Sequence, residues 1–126
     1  MMTASVKTIL IADDEEDLRL LVQVTLENPA YRILTAVDGR RAVDAIYTHI
    51  PDLLILDWMM PGLDGWEVVK RLRQNPDTAG IPVVMLTAKD GAEACEQMAA
   101  LDLAGYLVKP FSPLELIQKV REVLAQ

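Results

Sequence analysis

Five short apolar runs constrain this chain more than any other feature. They are TILIA (8–12), RILTAV (32–37), LLIL (53–56), PVVML (82–86) and GYLV (105–108). They are rich in Ile, Val and Leu and do not alternate apolar with polar residues. A strand with one wet face alternates with period two, so unbroken runs predict parallel strands covered on both faces. Between the runs lie amphipathic stretches. Leu18, Leu21, Val22 and Leu26 recur at helical spacing, as do Val43, Ile46 and Ile50, then Val69 and Leu72, with a weaker pattern over 91–101. The last helix opens on SPLE, with Ser112 as N-cap, Pro113 in the first turn and Glu115 three residues after the cap, a capping-box pattern. Its apolar face is read as Ile117, Val120 and Leu124. The expected fold class is α/β: a (βα)5 three-layer sandwich with helices on both sides of a parallel five-stranded sheet.

Composition excludes several alternatives. The chain has 126 residues, enough for one domain with a real core, and is 52% hydrophobic, which argues against disorder. No apolar run approaches the roughly 20 residues that span a bilayer, and the N-terminus lacks a basic region followed by a long apolar segment. Cys95 is the only cysteine, so no internal disulfide forms, which fits a reducing cytoplasm. The formal charge is −7, and the cations are scattered apart from KRLR at 70–73. Direct nucleic-acid binding is therefore not expected. No internal repeat or interdomain linker interrupts the chain, and residues 1–126 read as one domain with no output module after Gln126.

In an open parallel sheet, all strands present their C-terminal ends at one edge, where ligands bind. The first run leads into Asp13 and Asp14, the third ends at Asp57, the fourth at Thr87 and the fifth leads into Lys109. Three carboxylates, a hydroxyl and an ammonium should therefore meet at one rim. Crowded carboxylates repel, and at least one should resist ionising. A hard divalent cation such as Mg²⁺ or Mn²⁺ relieves that repulsion and bridges readily to phosphate. Lys109 could neutralise a phosphoryl oxygen, Thr87 could donate to another, and Asp57 could act as a carboxylate nucleophile. Taken singly, each has a plainer explanation. Acids before a helix suit its dipole, which accounts for Glu15, Glu16 and Asp17. Asp13 lies before the helix proper and is not explained that way. Asp14 could be both N-cap and metal ligand. Joint placement after four strands is harder to explain plainly.

These residues resemble the receiver domains of two-component response regulators, the CheY-like superfamily. The resemblance covers about residues 6–125 and rests on DD (13–14), DWMMPGLDG (57–65), TA (87–88) and YLVKPF (106–111). It implies a flavodoxin-like sheet of order 2-1-3-4-5. Asp57 would accept a phosphoryl group from a histidine kinase or phosphotransfer protein. Asp13, Asp14, Asp57 and the backbone carbonyl of Met59 would hold Mg²⁺, or Mn²⁺. Thr87 would be the switch hydroxyl, with small Ala88 leaving room for the phosphoryl group. Lys109 would bind that group and precede a cis peptide bond to Pro110. Tyr106 would turn inward as the aromatic switch. The output would be a changed surface on the fourth predicted helix, fifth strand and C-terminal helix, acting on a downstream protein or an output domain, with a phosphorylation-dependent dimer as one route. The family assists its own phosphorylation and dephosphorylation rather than turning over a separate substrate, and it is cytoplasmic. One departure is DLAGY, with Asp102 where many members carry glycine. Either Asp102 adopts the left-handed conformation or the helix ends differently.

Other residues carry weaker signals. Pro61, Gly62 and Gly65 read as turn residues after the third strand. Trp66 reads as packing, Trp58 as partly exposed near the site, His49 as solvated and Cys95 as a small packing residue. Met59 and Lys89 flank the phosphoryl position in the family, and Met59 cannot hold a water by a strong hydrogen bond, so slow self-dephosphorylation is expected. Two other functions compete. An Asp-based phosphatase of the haloacid-dehalogenase type carries a second Asp two residues on, where this chain has Met59. A flavin or nucleotide carrier needs a phosphate-cradling first loop, where this chain has DDEED.

Overall fold

The computed structural model describes residues 5–88 and 99–125. Its strands are β1 (Lys7–Ala12), β2 (Tyr31–Ala36), β3 (Leu53–Asp57), β4 (Val83–Thr87) and β5 (Gly105–Val108). The helices among the described residues are α1 (Glu16–Thr25), α2 (Gly39–His49), α3 (Gly65–Gln74) and α4 (Pro113–Leu124). All strand pairs are parallel, in the order β2-β1-β3-β4-β5. The helix expected over 91–101 lies outside the described residues except at its end, where Ala99 and Ala100 are helical.

Two cores explain why the central strands show no alternation. Leu10, Ala12, Leu54, Leu56, Val83 and Met85 point to one side, under α2 and α3. Ile9, Ile11, Leu53, Ile55, Val84 and Leu86 point to the other, under α1 and α4. Every residue of β3 and β4 is buried. The expected cover on both faces fails at the sheet edges, where β2 and β5 are only partly buried because each has a neighbour on one side alone.

The helix stripes are also shifted in places. Leu21 is 45% exposed, and Val22 with Leu26 carries the α1 contact. In α4 the buried residues are Leu116, Val120 and Val123, while Ile117 and Leu124 sit at the margin. Ile50, read as part of the α2 stripe, is instead its C-cap at φ 44° and is 45% exposed. The α4 N-terminus forms as expected: Ser112 Oγ accepts from the Glu115 N–H, and the Glu115 carboxylate accepts from the Ser112 N–H, both at 3.1 Å. Asp102 takes the left-handed conformation, at φ 54°.

Candidate functional site

Strand register assembles the site. Ala12 pairs with Leu56, so Asp13 and Asp57 follow at one level on neighbouring strands. Asp57 pairs with Leu86 and Thr87 with Val108, which brings Thr87 and then Lys109 to the same rim. Asp13, Asp57 and Thr87 are buried, at 0%, 4% and 3% exposure. The Lys109 N–H donates to the Thr87 carbonyl at 2.7 Å, fixing the start of the β5–α4 loop, and the Lys109–Pro110 bond is cis, as expected.

The Lys109 ammonium is the hub of the charged groups. Its Nζ lies 3.3 Å from Asp13 Oδ2, 3.3 Å from Asp57 Oδ1 and 3.7 Å from Glu15 Oε1. The helix dipole accounts for Glu15 locally, but its reach to Lys109 depends on how the loop after β1 folds back. The Asp57 Oδ1 also accepts the Met59 N–H at 3.3 Å. Asp13 Oδ1 accepts the Glu15 N–H at 2.8 Å, which locks its carboxylate under the start of α1. Glu15 is the α1 N-cap and makes no side-chain cap bond, so the N-cap role considered for Asp14 falls away. Asp14 is exposed at the mouth instead.

Burial and crowding shift the titration of these groups. Burial, reinforced by the Asp13 charge and only partly offset by Lys109, pushes the Asp57 carboxyl up to about 6. Burial also raises Asp13, against its Glu15 hydrogen bond and Lys109. For Lys109, burial favours the neutral amine, but Asp57 and Asp13 prevail and hold the ammonium charged.

Asp13, Asp14 and Asp57 each offer a carboxylate oxygen, and these oxygens lie within 4.8 Å of one another. Hard oxygen donors, an exposed ligand at the mouth and raised carboxyl groups that one ammonium does not neutralise fit a small divalent cation.

The loop after β3 is shaped by two glycines. Gly62 adopts φ 76°, a left-handed turn. Gly65 is the first residue of α3 rather than a turn residue. A Cβ there would lie 2.7 Å from the Asp57 carbonyl oxygen and 3.0 Å from Trp58 Cα, so its small size lets α3 start against the end of β3. Asp64 caps that helix by accepting the Glu67 N–H at 3.0 Å. Trp58 and Trp66 meet edge to face at 6.2 Å, half-buried against the α2–α3 core. Tyr106 lies on edge strand β5 and is 41% exposed. Met59 is 65% exposed beside Asp57. Lys89 and Cys95 lie outside the described residues. No helix among the described residues is long and apolar enough to cross a membrane.

Five parallel strands with an acid-and-lysine cluster at their C-terminal edge define a flavodoxin-like switch fold, and a comparison of families makes the class specific. The chain belongs to the response regulator receiver domain family, whose model matches residues 9–121, and thus to the phosphorylation-based signalling modules of two-component systems. It is 42% identical over 118 residues to the phosphate regulon transcriptional regulatory protein PhoB of Pseudomonas aeruginosa, covering 94% of this chain and 52% of that protein. It is 44% identical over 120 residues to the alkaline phosphatase synthesis transcriptional regulatory protein PhoP of Bacillus subtilis, covering 94% of this chain and 48% of that one. The chain therefore spans about half the length of these curated relatives. Among solved structures, the chemotaxis response regulator CheY4 of Vibrio cholerae superposes with a TM-score of 0.88 at 33% identity, covering 94% of this chain and 99% of the other. The Francisella response regulator 1452 receiver domain gives 0.86 at 33%, covering 94% and 97%.

Proposed function

We propose that Asp57 is the phosphoacceptor of a Mg²⁺-dependent signalling switch, and that residues 1–126 belong to a single receiver domain. One observation supports this above others: Lys109 bridges Asp57 and Asp13 at 3.3 Å each, with Asp14 in reach of both carboxylates. An Asp57 carboxylate oxygen attacks phosphorus, the P–N bond of a phosphohistidine donor breaks, and the imidazole leaves. Lys109 then neutralises a phosphoryl oxygen. Asp13, Asp14, Asp57 and the Met59 carbonyl would hold Mg²⁺ (Mn²⁺ would also serve), and the cation would supply charge screening for the phosphoryl group in transit. Thr87 turns its hydroxyl to the phosphoryl group, and Tyr106 moves inward from its exposed position. The changed surface is β5, α4 and the segment before β5.

The donor is a histidine kinase or phosphotransfer protein, acting in the cytoplasm. The readout is a downstream protein or an output domain. Similarity to two transcriptional regulators of about twice the matched length favours control of transcription through a further module. Such a switch loses its phosphoryl group by self-hydrolysis, without a separate substrate.

The test is incubation with acetyl phosphate and Mg²⁺, followed by intact mass measurement. The expected result is one added phosphoryl group, absent in Asp57→Asn and without metal. An unmodified wild type would sink the assignment.

A further inference from the structure

We propose that Arg19 is a positioning residue for the acidic site, pinning the backbone of Asp13 so that its carboxylate faces Asp14 and Asp57; this rests on the reading of Asp13 as a Mg²⁺ ligand. The Arg19 Nη1 donates to the Asp13 carbonyl oxygen at 2.7 Å. That is a short, charge-assisted bond from a half-buried guanidinium.

Helix preferences do not account for where this side chain goes. Arg19 follows Glu15 and Glu16 by four and three residues, a spacing that suits an ion pair along the helix, yet its guanidinium donates to a backbone carbonyl before the helix. Tertiary structure supplies the reason. Asp13 lies one residue past the last β1 ladder pairs, so its carbonyl is beyond the sheet's backbone donors. Arg19 satisfies it. The other three polar points of Asp13 are also held: its N–H donates to Ala36 O at 3.2 Å, Oδ1 accepts from Glu15 N, and Oδ2 from Lys109. Lys109 is called away if a phosphoryl group arrives, whereas the Arg19 bond engages the main chain and stays available throughout.

Positioning and charge predict opposite signs. As a mere charge, Arg19 repels Mg²⁺, so its removal tightens binding. As a pin, its removal lets Asp13 shift and weakens binding. Outer-shell partners of metal ligands are typically worth about 10–100-fold in affinity, and a pin on the backbone belongs at the low end, roughly tenfold.

The experiment is calorimetric titration of the whole chain with MgCl₂ for wild type, Arg19→Met and Arg19→Lys, alongside urea unfolding of each metal-free protein. The expected result is roughly tenfold weaker Mg²⁺ binding in Arg19→Met, with Arg19→Lys, which keeps a charge and a donor, within about threefold of wild type. If Arg19→Met is unfolded by circular dichroism, Arg19→Ala, which likewise has no donor, replaces it with the same expectation. Equal or tighter binding in the neutral variant overturns the proposal, as does equal weakening in the Lys variant. Lower urea stability with unchanged Mg²⁺ affinity also overturns it, because Arg19 would then be structural only. Absence of Mg²⁺ binding in wild type is distinguishable from all of these and overturns the metal-site assignment together with the proposal.

Discussion

Asp57→Asn should stabilise the metal-free protein at neutral pH, although it removes a partner of Lys109. The Asp57 carboxyl titrates at about 6, against 3.8 unperturbed, chiefly because it is buried and faces Asp13. A folded state that holds this proton more tightly than the unfolded chain is favoured by protonation. Its stability is therefore lost as pH rises from the unfolded value through the folded one. The difference between about 6 and 3.8 is worth about 3 kcal/mol at roughly 1.4 kcal/mol per pH unit. Asparagine has nearly the shape of the protonated carboxyl and never ionises, while Lys109 keeps Asp13 and Glu15. The variant should gain about 3 kcal/mol over wild type near pH 7.5, about half that near pH 5, and almost nothing near pH 3.5. Paired urea denaturations with chelator at these pH values measure the difference directly. Millimolar Mg²⁺ should then narrow it by stabilising the wild type through mass action. A variant less stable than wild type near pH 7.5, or a gain that ignores pH, would refute the picture of Asp57 as a strained, ionised carboxylate.

Three further outcomes are expected. Ile50→Asn should raise stability by about 1 kcal/mol in thermal or urea unfolding, because a half-exposed β-branched residue now occupies φ 44°. Thr78→Val should cost about 1–3 kcal/mol in the same assays: the fully buried Thr78 hydroxyl donates to Leu72 O at 2.6 Å, and that carbonyl would be left without it. Decay of the phosphorylated protein should be slow by mass spectrometry after donor removal, since the Met59 side chain beside Asp57 offers no strong hydrogen bond to an attacking water; rapid loss in wild type counts against this.

Much of the architecture was legible because its signals are local. Unbroken runs such as LLIL mark strands covered twice, and β3 is buried at every residue. SPLE spelled out the α4 cap bond for bond. The errors fell where a helix stripe meets a neighbour whose position is not local information. Leu21 and Ile50 fit a helical period but point away from either core, and Leu116 and Val123 do most of what Ile117 and Leu124 were expected to do in α4. The edge strands were likewise overread, because being last in a sheet is a property of strand order.

At the site, sequence by itself determined which groups would stand at the strand ends: Asp13, Asp14, Asp57, Thr87 and Lys109 each follow an apolar run. Chain order also carries the family motifs that place the chain among receiver domains. Tertiary structure alone decided how those groups interact. Register between distant strands brings Lys109 to 3.3 Å from both Asp13 and Asp57. The fold-back of the loop after β1 brings Glu15, whose local setting reads as a helix start, to Lys109, and sets the Asp13 carbonyl against Arg19, a residue with no signal of its own in the sequence. Distance and burial set the strength of charge interactions, and neither is written in spacing along the chain. They turn the Asp57 at the end of β3 into a carboxyl that titrates at about 6.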